Sequence, residues 1–312
     1  MIDVLVVGGG PTGLSAATEL RRRGAGPVVV LEREGEAGGI ARHCAHSPFG
    51  MREFGRVLSG ARYAARLAER ASEAGVEIRL RHSVTALNGT SAEVATPVGP
   101  LVLTARRILF ATGIREASRA GRLISGQRPL GILTTGALQD YVHLRHMAPF
   151  RRPVIVGSEL VTMSAILTCR SGGISPQAIV EDERGPRVGY PTAMFPPMLG
   201  IPTHYNTSID DILGTTRVEA VRLRHANGTF KVIECDGVLF TGRFTPESSL
   251  ARLSGLAIDM ATGGPSVDGT GRTSLSGTYA AGNVLRAVRT AGQCWSEGRA
   301  AAHAIIRSLE AA

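Results

Sequence analysis

Asp3-Val-Leu-Val-Val-Gly-Gly-Gly-Pro-Thr-Gly-Leu-Ser-Ala-Ala17 is the stretch that decides the fold. Ile2 to Val7 is rich in β-branched residues and reads as a buried strand, and Gly8, Gly10 and Gly13 supply G-x-G-x-x-G directly before an Ala/Leu-rich helical segment. This is the pattern of a dinucleotide-binding turn. Gly8 permits the tight turn, Gly10 has no side chain to block a pyrophosphate, and Gly13 lets the helix approach the sheet, so that unpaired amides at the helix start face the phosphates. Proline is well tolerated at that first helical position. The next strand, Val28 to Leu31, ends in Glu32, the usual place of an acid that holds ribose hydroxyls and repels a phosphate placed there.

A chain of 312 residues, 43% of them apolar, fits one large or two medium domains. No run of eighteen uncharged apolar residues occurs, and the N-terminal apolar strand ends in glycines, so neither a membrane span nor a secretory signal is expected and the cytoplasm is the expected location. The formal charge of +9 suits acidic ligands or partners. Its arginines are scattered and form no block with interleaved aromatics, so no nucleic-acid partner is expected. Cys44, Cys169, Cys235 and Cys294 lie more than fifty residues apart in each case. That spacing excludes a local C-x-x-C redox pair, a zinc knuckle and the usual iron–sulfur runs.

Outward from the first turn, Thr12 to Arg23 reads as a helix closed by Gly24 and Gly26, and Gly38-Gly39 as a loop that lets backbone come close to a ligand. Met51 to Ala74 carries helical periodicity broken near Gly60, followed by a strand at Val76 to Leu80. From Val84 to Leu109 the period changes to two, which predicts an antiparallel meander whose last strand runs into Thr112-Gly113. A second strand, glycine turn and helix begin at Pro153, and Gln177 to Glu181 repeats the strand with its terminal acid. In that copy Glu159 stands where Gly10 stands in the first, and Thr162 where Gly13 stands, so a carboxylate would crowd and repel a pyrophosphate. Arg217 to Phe230 and Lys231 to Phe240 read as an antiparallel pair around an Asn227-Gly228 turn. Ser276 to Val284 is a short strand meeting a glycine turn, and Thr290 to Leu309 an Ala-rich helix.

The expected fold class is therefore α/β, with two Rossmann-like three-layer dinucleotide-binding domains, each carrying an inserted antiparallel meander. The expected domains are 1–115 plus 245–312, and 116–244 with a linker and the Pro-rich loop.

Val4 to Gly13 with Glu32, Ile108-Leu-Phe-Ala-Thr-Gly113 and Thr278-Tyr-Ala-Ala-Gly-Asn283 resemble the three FAD-contacting motifs of the two-dinucleotide-fold flavoprotein oxidoreductases, the superfamily of thioredoxin and glutathione reductases. Within it, Cys44 to Met51 and Arg128 to Gln139 are similar to the FAD-bearing subunit of dye-linked amine and amino-acid dehydrogenase complexes of the opine oxidase, hydrogen cyanide synthase and hydroxyproline dehydrogenase kind. The resemblance implies FAD as cofactor. It places Gly8, Gly10, Pro11, Thr12 and Gly13 on the FAD pyrophosphate, Glu32 on the adenosine ribose and the Val84 backbone on the adenine. Gly282 and Asn283 then lie at the ribitol, where the family usually has aspartate for Asn283, and Ala291, Gly292 and Gln293 at the flavin pyrimidine carbonyl. Arg33, Gly39, Ile40, Ala111, Thr112 and Gly113 complete the cofactor-facing set.

Two departures from the family matter. The chain has no dithiol, which excludes a disulfide reductase of the thioredoxin-reductase kind. It also lacks the cysteine-rich region that larger relatives carry, so electron exit by that route would need a separate iron–sulfur protein. Catalytic residues are not identified; His46 is a candidate proton relay or local charge beside the flavin. His143 and His146, read as sharing a helix face, lack a third metal ligand, so no metal is expected.

The leading expectation is an FAD-dependent oxidoreductase component passing electrons between a small amine or amino acid and an acceptor, as one subunit of a hetero-oligomer with another oxidoreductase subunit. The alternatives are a self-sufficient NAD(P)H-dependent flavoprotein reductase and a non-catalytic FAD-containing scaffold. The Pro-rich Gly185 to Thr203 segment, with Tyr190, Met194, Phe195, Met198 and Leu199, reads either as a partner surface or as a lid.

Overall fold

Three strands, β1 (Ile2–Val7), β2 (Val28–Glu32) and β3 (Glu77–Leu80), pair in parallel around the N-terminal segment, joined by the helix α1 (Pro11–Arg22) and by α2 (Met51–Phe54) and α3 (Gly60–Glu73). β4 (Ser83–Asn88), β5 (Ser91–Thr96) and β6 (Gly99–Phe110) form the antiparallel meander. β6 serves two ladders: its first part pairs with β5, and its last part runs parallel to β1 from Ile2↔Ala105 to Val7↔Phe110. The strand Thr278–Ala280, from far along the chain, closes the sheet by pairing in parallel with the same end of β6. This is the computed structural model of the chain, and it describes residues 1–124 and 126–311.

The chain divides into two compact units, Met1–Arg115 with Phe244–Ala312, and Glu116–Arg243. In the first, β1 alternates its side chains between two layers. Val4 and Val6 pack with Leu14, Ala17 and Leu20 of α1, Tyr63 and Leu67 of α3, and Ala302 and Ile305 of the C-terminal helix Ala291–Glu310. Leu5 and Val7 pack on the other face with Leu87, Ala92 and Val94 of the meander. Helices, sheet and meander thus make the three layers.

α1 and the C-terminal helix are held together by one buried acid as well as by apolar packing. Glu19, 7% exposed, receives Arg23 Nε at 2.7 Å, His303 Nε2 at 3.0 Å and Arg299 Nε at 3.1 Å. Burial pushes its carboxyl up, but the hydrogen bonds from Arg23, His303 and Arg299 outweigh this and bring it down to about 2 from 4.5. A carboxyl depressed in the folded state contributes stability that is present above its unfolded pKa and is lost as pH falls through the folded one. Glu19→Gln is accordingly expected to cost on the order of 2 kcal/mol at pH 7 and to flatten the loss of stability between about pH 4.5 and about pH 2. Urea unfolding of both proteins across that range measures it.

The second unit repeats the plan with a shorter parallel sheet, ordered Thr203–His204, Ala178–Val180, Pro153–Val156, Gly237–Phe240, Ile132–Thr134. Its meander is Thr207–Leu213, Ala220–His225 and Phe230–Glu234. The chain is thus α/β with two Rossmann-like units, each with an inserted antiparallel meander.

Three details differ from the sequence reading. Lys231 to Phe240 is two strands: Phe230–Glu234 ends the meander, and the wholly buried Gly237–Phe240 joins the parallel sheet. The break lies at Cys235-Asp236, where the Asp236 carboxylate accepts the Arg151 and Arg152 amides at 2.7 and 2.6 Å and anchors the new strand beside Pro153. Thr207–Leu213 is a strand with no alternating pattern, because a bulge between Ile209 and Asp211 shifts its register. His143 and His146 do not share a helix face: the π-helical turn Asp140–Leu144 ends before His146, which adopts φ 54°.

Candidate functional site

The first glycine turn is where four distant segments meet. Gly8 lies under β6's exit, where an added Cβ would come 2.5 Å from the Ala111 carbonyl oxygen. Gly13 lies so close to the Gly8 carbonyl that a Cβ there would overlap it. Gly282, after Thr278–Ala280, is pressed onto Thr12 in the same way, and Gly39 sits with its Cβ direction 2.9 Å from the Gly10 Cα. These contacts close the back of the turn. Gly10 differs: a Cβ on it would meet nothing nearer than the Gly39 Cα at 3.9 Å. Open space over Gly10, beside a twelve-residue helix whose N-cap Gly10 makes no side-chain capping bond, is a cradle that any side chain would fill.

Glu32 ends β2 beside this cradle, 7% exposed, with Oε2 accepting the Gly9 amide at 2.9 Å and Oε1 the Glu34 amide at 2.9 Å. Both oxygens keep a further lone pair for a hydroxyl donor. The His82 amide bonds the Glu32 carbonyl at 2.9 Å, which brings the start of β4, with Val84, to the end of β2. Thr112 spends its hydroxyl on the Glu247 carbonyl at 2.8 Å, and Gly113 turns the chain away from β6 at φ 76°. Asn283 fastens the following loop, its side chain exchanging hydrogen bonds with the Arg289 amide at 2.7 Å and carbonyl at 3.1 Å.

The C-terminal helix starts at Ala291 with a capping box: the Gln293 amide goes to the Thr290 hydroxyl and the Gln293 side chain returns to the Thr290 amide at 2.9 Å. Gln293 therefore caps the helix, and the first-turn donors that precede this bond are those of Ala291 and Gly292. Arg33 and Ile40 are exposed, and Arg33 faces Glu34 at 3.5 Å. His46 is half-buried, its ring tilted by 38° against Phe49 with centroids 5.5 Å apart, and its Nδ1 lies 3.3 Å from the Ser47 carbonyl.

Sequence reasoning passed over Gly298 and Glu53, and read Gly38 as giving room to a ligand where the neighbour is helix α3. A Cβ on Gly38 would strike Ala64 of α3, and one on Gly298 would strike Ser15 and Thr12 of α1. A glycine inside an Ala-rich helix was the available signal for Gly298. Glu53 carried none.

In the second unit the corresponding crevice is filled by its own side chains. The Glu159 carboxylate lies against Gly157 and Gly242, where added Cβ atoms would strike its oxygens, and it accepts the Thr241 hydroxyl at 3.3 Å. Thr162 is wholly buried and its hydroxyl bonds the Gly157 carbonyl at 3.1 Å, a hydrogen-bonded substitute for the close approach that Gly13 makes in the first copy. The terminal acid Glu181, 2% exposed, is taken by Ser158, by the Glu183 amide at 3.1 Å and by Arg187 Nε at 3.1 Å. Glu116, bonded to the Gly136 amide at 2.7 Å, is a carboxyl that burial pushes up. In the Pro-rich segment Tyr190 and Met198 point outward, whereas Phe195 and Leu199 pack on this unit's core.

Residues 2–298 match the pyridine nucleotide-disulphide oxidoreductase family. The chain belongs to that family. It is an FAD-dependent oxidoreductase, and the cradle over Gly10 fits the diphosphate of that cofactor. One opine oxidase subunit of Agrobacterium tumefaciens is 24% identical over 99% of this chain and 66% of its own length. The alpha chain of sarcosine oxidase from Rhizobium meliloti is 24% identical over 98% of this chain and 30% of its own. The chain thus spans about two thirds of the first relative and under a third of the second. The crystal structure of Lactococcus lactis thioredoxin reductase superposes with a TM-score of 0.81 over 100% of both chains at 20% identity, a likeness of fold.

The disulphide in the family's name has no counterpart in the thiols. All four cysteines are buried, and none forms a disulfide among the described residues. Burial pushes Cys169 up to about 12 and Cys235 up to about 11, and it raises Cys294 as well, so these are thiols and not nucleophilic thiolates. Among the described residues no helix is long and apolar enough to cross a membrane.

Proposed function

We propose that the chain holds FAD in its first unit and exchanges electrons between a small organic amine or amino acid and an acceptor, without loading by a nicotinamide in its second unit. The observation that carries this is Glu159, whose carboxylate lies on Gly157 and Gly242 where a second dinucleotide's pyrophosphate would need to approach. In the first unit Gly10, Pro11, Thr12 and Gly13 face the FAD diphosphate, Glu32 the adenosine ribose and Val84 the adenine. Gly39, Ala111, Gly113, Gly282 and Asn283 shape the remaining wall, and Ala291 and Gly292 direct amides at the flavin. The bound flavin supplies the electron chemistry; the protein positions it, keeps water off it and sets its electrostatics. Work as one subunit beside another oxidoreductase subunit is supported by the names of the two relatives, each part of an oxidase with more than one kind of chain. The separate iron–sulfur protein finds no support in those names. Four buried thiols fit a reducing cytoplasm.

The second reading is a self-sufficient NAD(P)H-dependent flavoprotein reductase. The fold leans toward it over the subunit role, because the likeness to a thioredoxin reductase runs end to end on both chains. The filled crevice of the second unit leans against it. Anaerobic mixing decides between them. The purified, FAD-loaded chain is expected to stay oxidised with micromolar NADH or NADPH and to bleach with a member of an amine and amino-acid panel, alone or with a copurifying partner. Rapid, saturable bleaching by either nicotinamide establishes the reductase reading. Glu159→Gly alone is not expected to create that response, because Arg187 and Ser158 still occupy Glu181.

A further inference from the structure

A buried acid lies beside the helix end that carries the flavin-facing amides. Glu53, on α2, is 9% exposed, and its Oε1 accepts the hydroxyl of the fully buried Tyr63 at 2.9 Å. The same Oε1 lies 3.2 Å from where a Cβ on Gly292 would stand. Arg52, its neighbour, ties α2 to the helix by donating to the Gly292 carbonyl at 3.2 Å and the Ser296 hydroxyl at 3.4 Å. Arg70 holds the Glu53 carbonyl at 3.1 Å and stacks on Phe54 at 4.3 Å. Glu53 is therefore fixed against the first turn of a twenty-residue helix.

That turn carries about half a positive charge from its unpaired amides. The buried Glu53 carboxylate packed beside it offsets part of that charge and is screened less than a surface charge would be. A flavin gathers negative charge at its pyrimidine carbonyl as it is reduced, and the helix end favours that charge in proportion to the field it keeps.

We propose that Glu53 is a positioning residue that holds the flavin's reduction potential down by offsetting the helix end at Ala291 and Gly292, with the Tyr63 hydroxyl limiting how far. This rests on the reading that the helix end faces the flavin. No atom is transferred to or from Glu53; it acts through its charge alone. Tyr63 shares the carboxylate's charge through its hydrogen bond, so losing the hydroxyl and losing the charge act in opposite directions. A defect of packing would move both variants the same way.

The test is equilibrium reduction of FAD-loaded protein against reference dyes, with FAD content measured alongside. Glu53→Gln is expected to favour the reduced flavin about tenfold, a rise of about 30 mV for a two-electron couple, and Tyr63→Phe to shift the ratio the opposite way. Ala291→Asp, which adds a charge at the helix start, is expected to disfavour reduction. If Ala291→Asp shifts the potential while Glu53→Gln stays within threefold of the parent, the proposal is overturned and the helix-end reading stands. If both leave it unmoved, the helix-end reading fails and the proposal with it. Shifts of Glu53→Gln and Tyr63→Phe in one direction also overturn it.

Discussion

Gly10→Glu is expected to give a folded chain that no longer retains FAD. The space over Gly10 is open, with the Gly39 Cα at 3.9 Å from an added Cβ, so the new side chain meets little of the protein itself. It projects where we place the FAD diphosphate and brings a like charge to it. At about 4 Å and an effective dielectric near 20 that repulsion is about 4 kcal/mol, a loss of affinity of a hundredfold or more. Flavin absorbance per chain after gel filtration, and the unfolding midpoint of the FAD-free protein, are the two measurements. Loss of flavin with an unchanged apo-protein midpoint supports the placement; full flavin retention refutes it.

Gly298→Leu is expected to destabilise the first unit whether or not FAD is bound. Gly298 is the point where the C-terminal helix crosses α1, and an added Cβ falls on the Ser15 hydroxyl and the Thr12 carbonyl, while Ser15 already spans the crossing with a 2.8 Å bond to the Trp295 carbonyl. A side chain there gains about 1 kcal/mol of helix propensity over glycine, but it must push two packed helices apart, and overpacking of that size costs about 3 kcal/mol. The net cost of about 2 kcal/mol is expected to lower the midpoint of a unit of this size by roughly 6 °C. Calorimetry with and without added FAD reads it. A midpoint within a degree of the parent would show that the helices separate at no cost and that the close crossing does not hold them.

The two variants divide the glycines by what opposes them. Gly8, Gly13, Gly282 and Gly298 are opposed by the chain itself, so their substitution strikes the fold, whereas Gly10 is opposed by no nearby side chain, so its substitution strikes the ligand. The G-x-G-x-x-G spacing marks three of these together and cannot separate them.

The sequence by itself determined the features that local pattern controls. A β-branched run, three spaced glycines and Glu32 dictate strand, turn, helix and terminal acid, because each step follows from backbone freedom and side-chain shape within a few residues. The spoiled second copy was legible at Glu159 and Thr162, and the spacing of four cysteines already removed a local dithiol. What only the tertiary structure decided depends on segments far apart in the chain. It put the Glu159 carboxylate onto Gly242, some eighty positions away, and occupied Glu181 with Arg187, turning a crowded turn into a filled crevice. Asp236 split one expected strand in two by capping Arg151 and Arg152, and a bulge hid Thr207–Leu213 from its own periodicity. Glu53 meets the start of the C-terminal helix across more than two hundred residues, and no periodicity announces a contact whose partner is chosen by the packing of α2 and α3 against that helix.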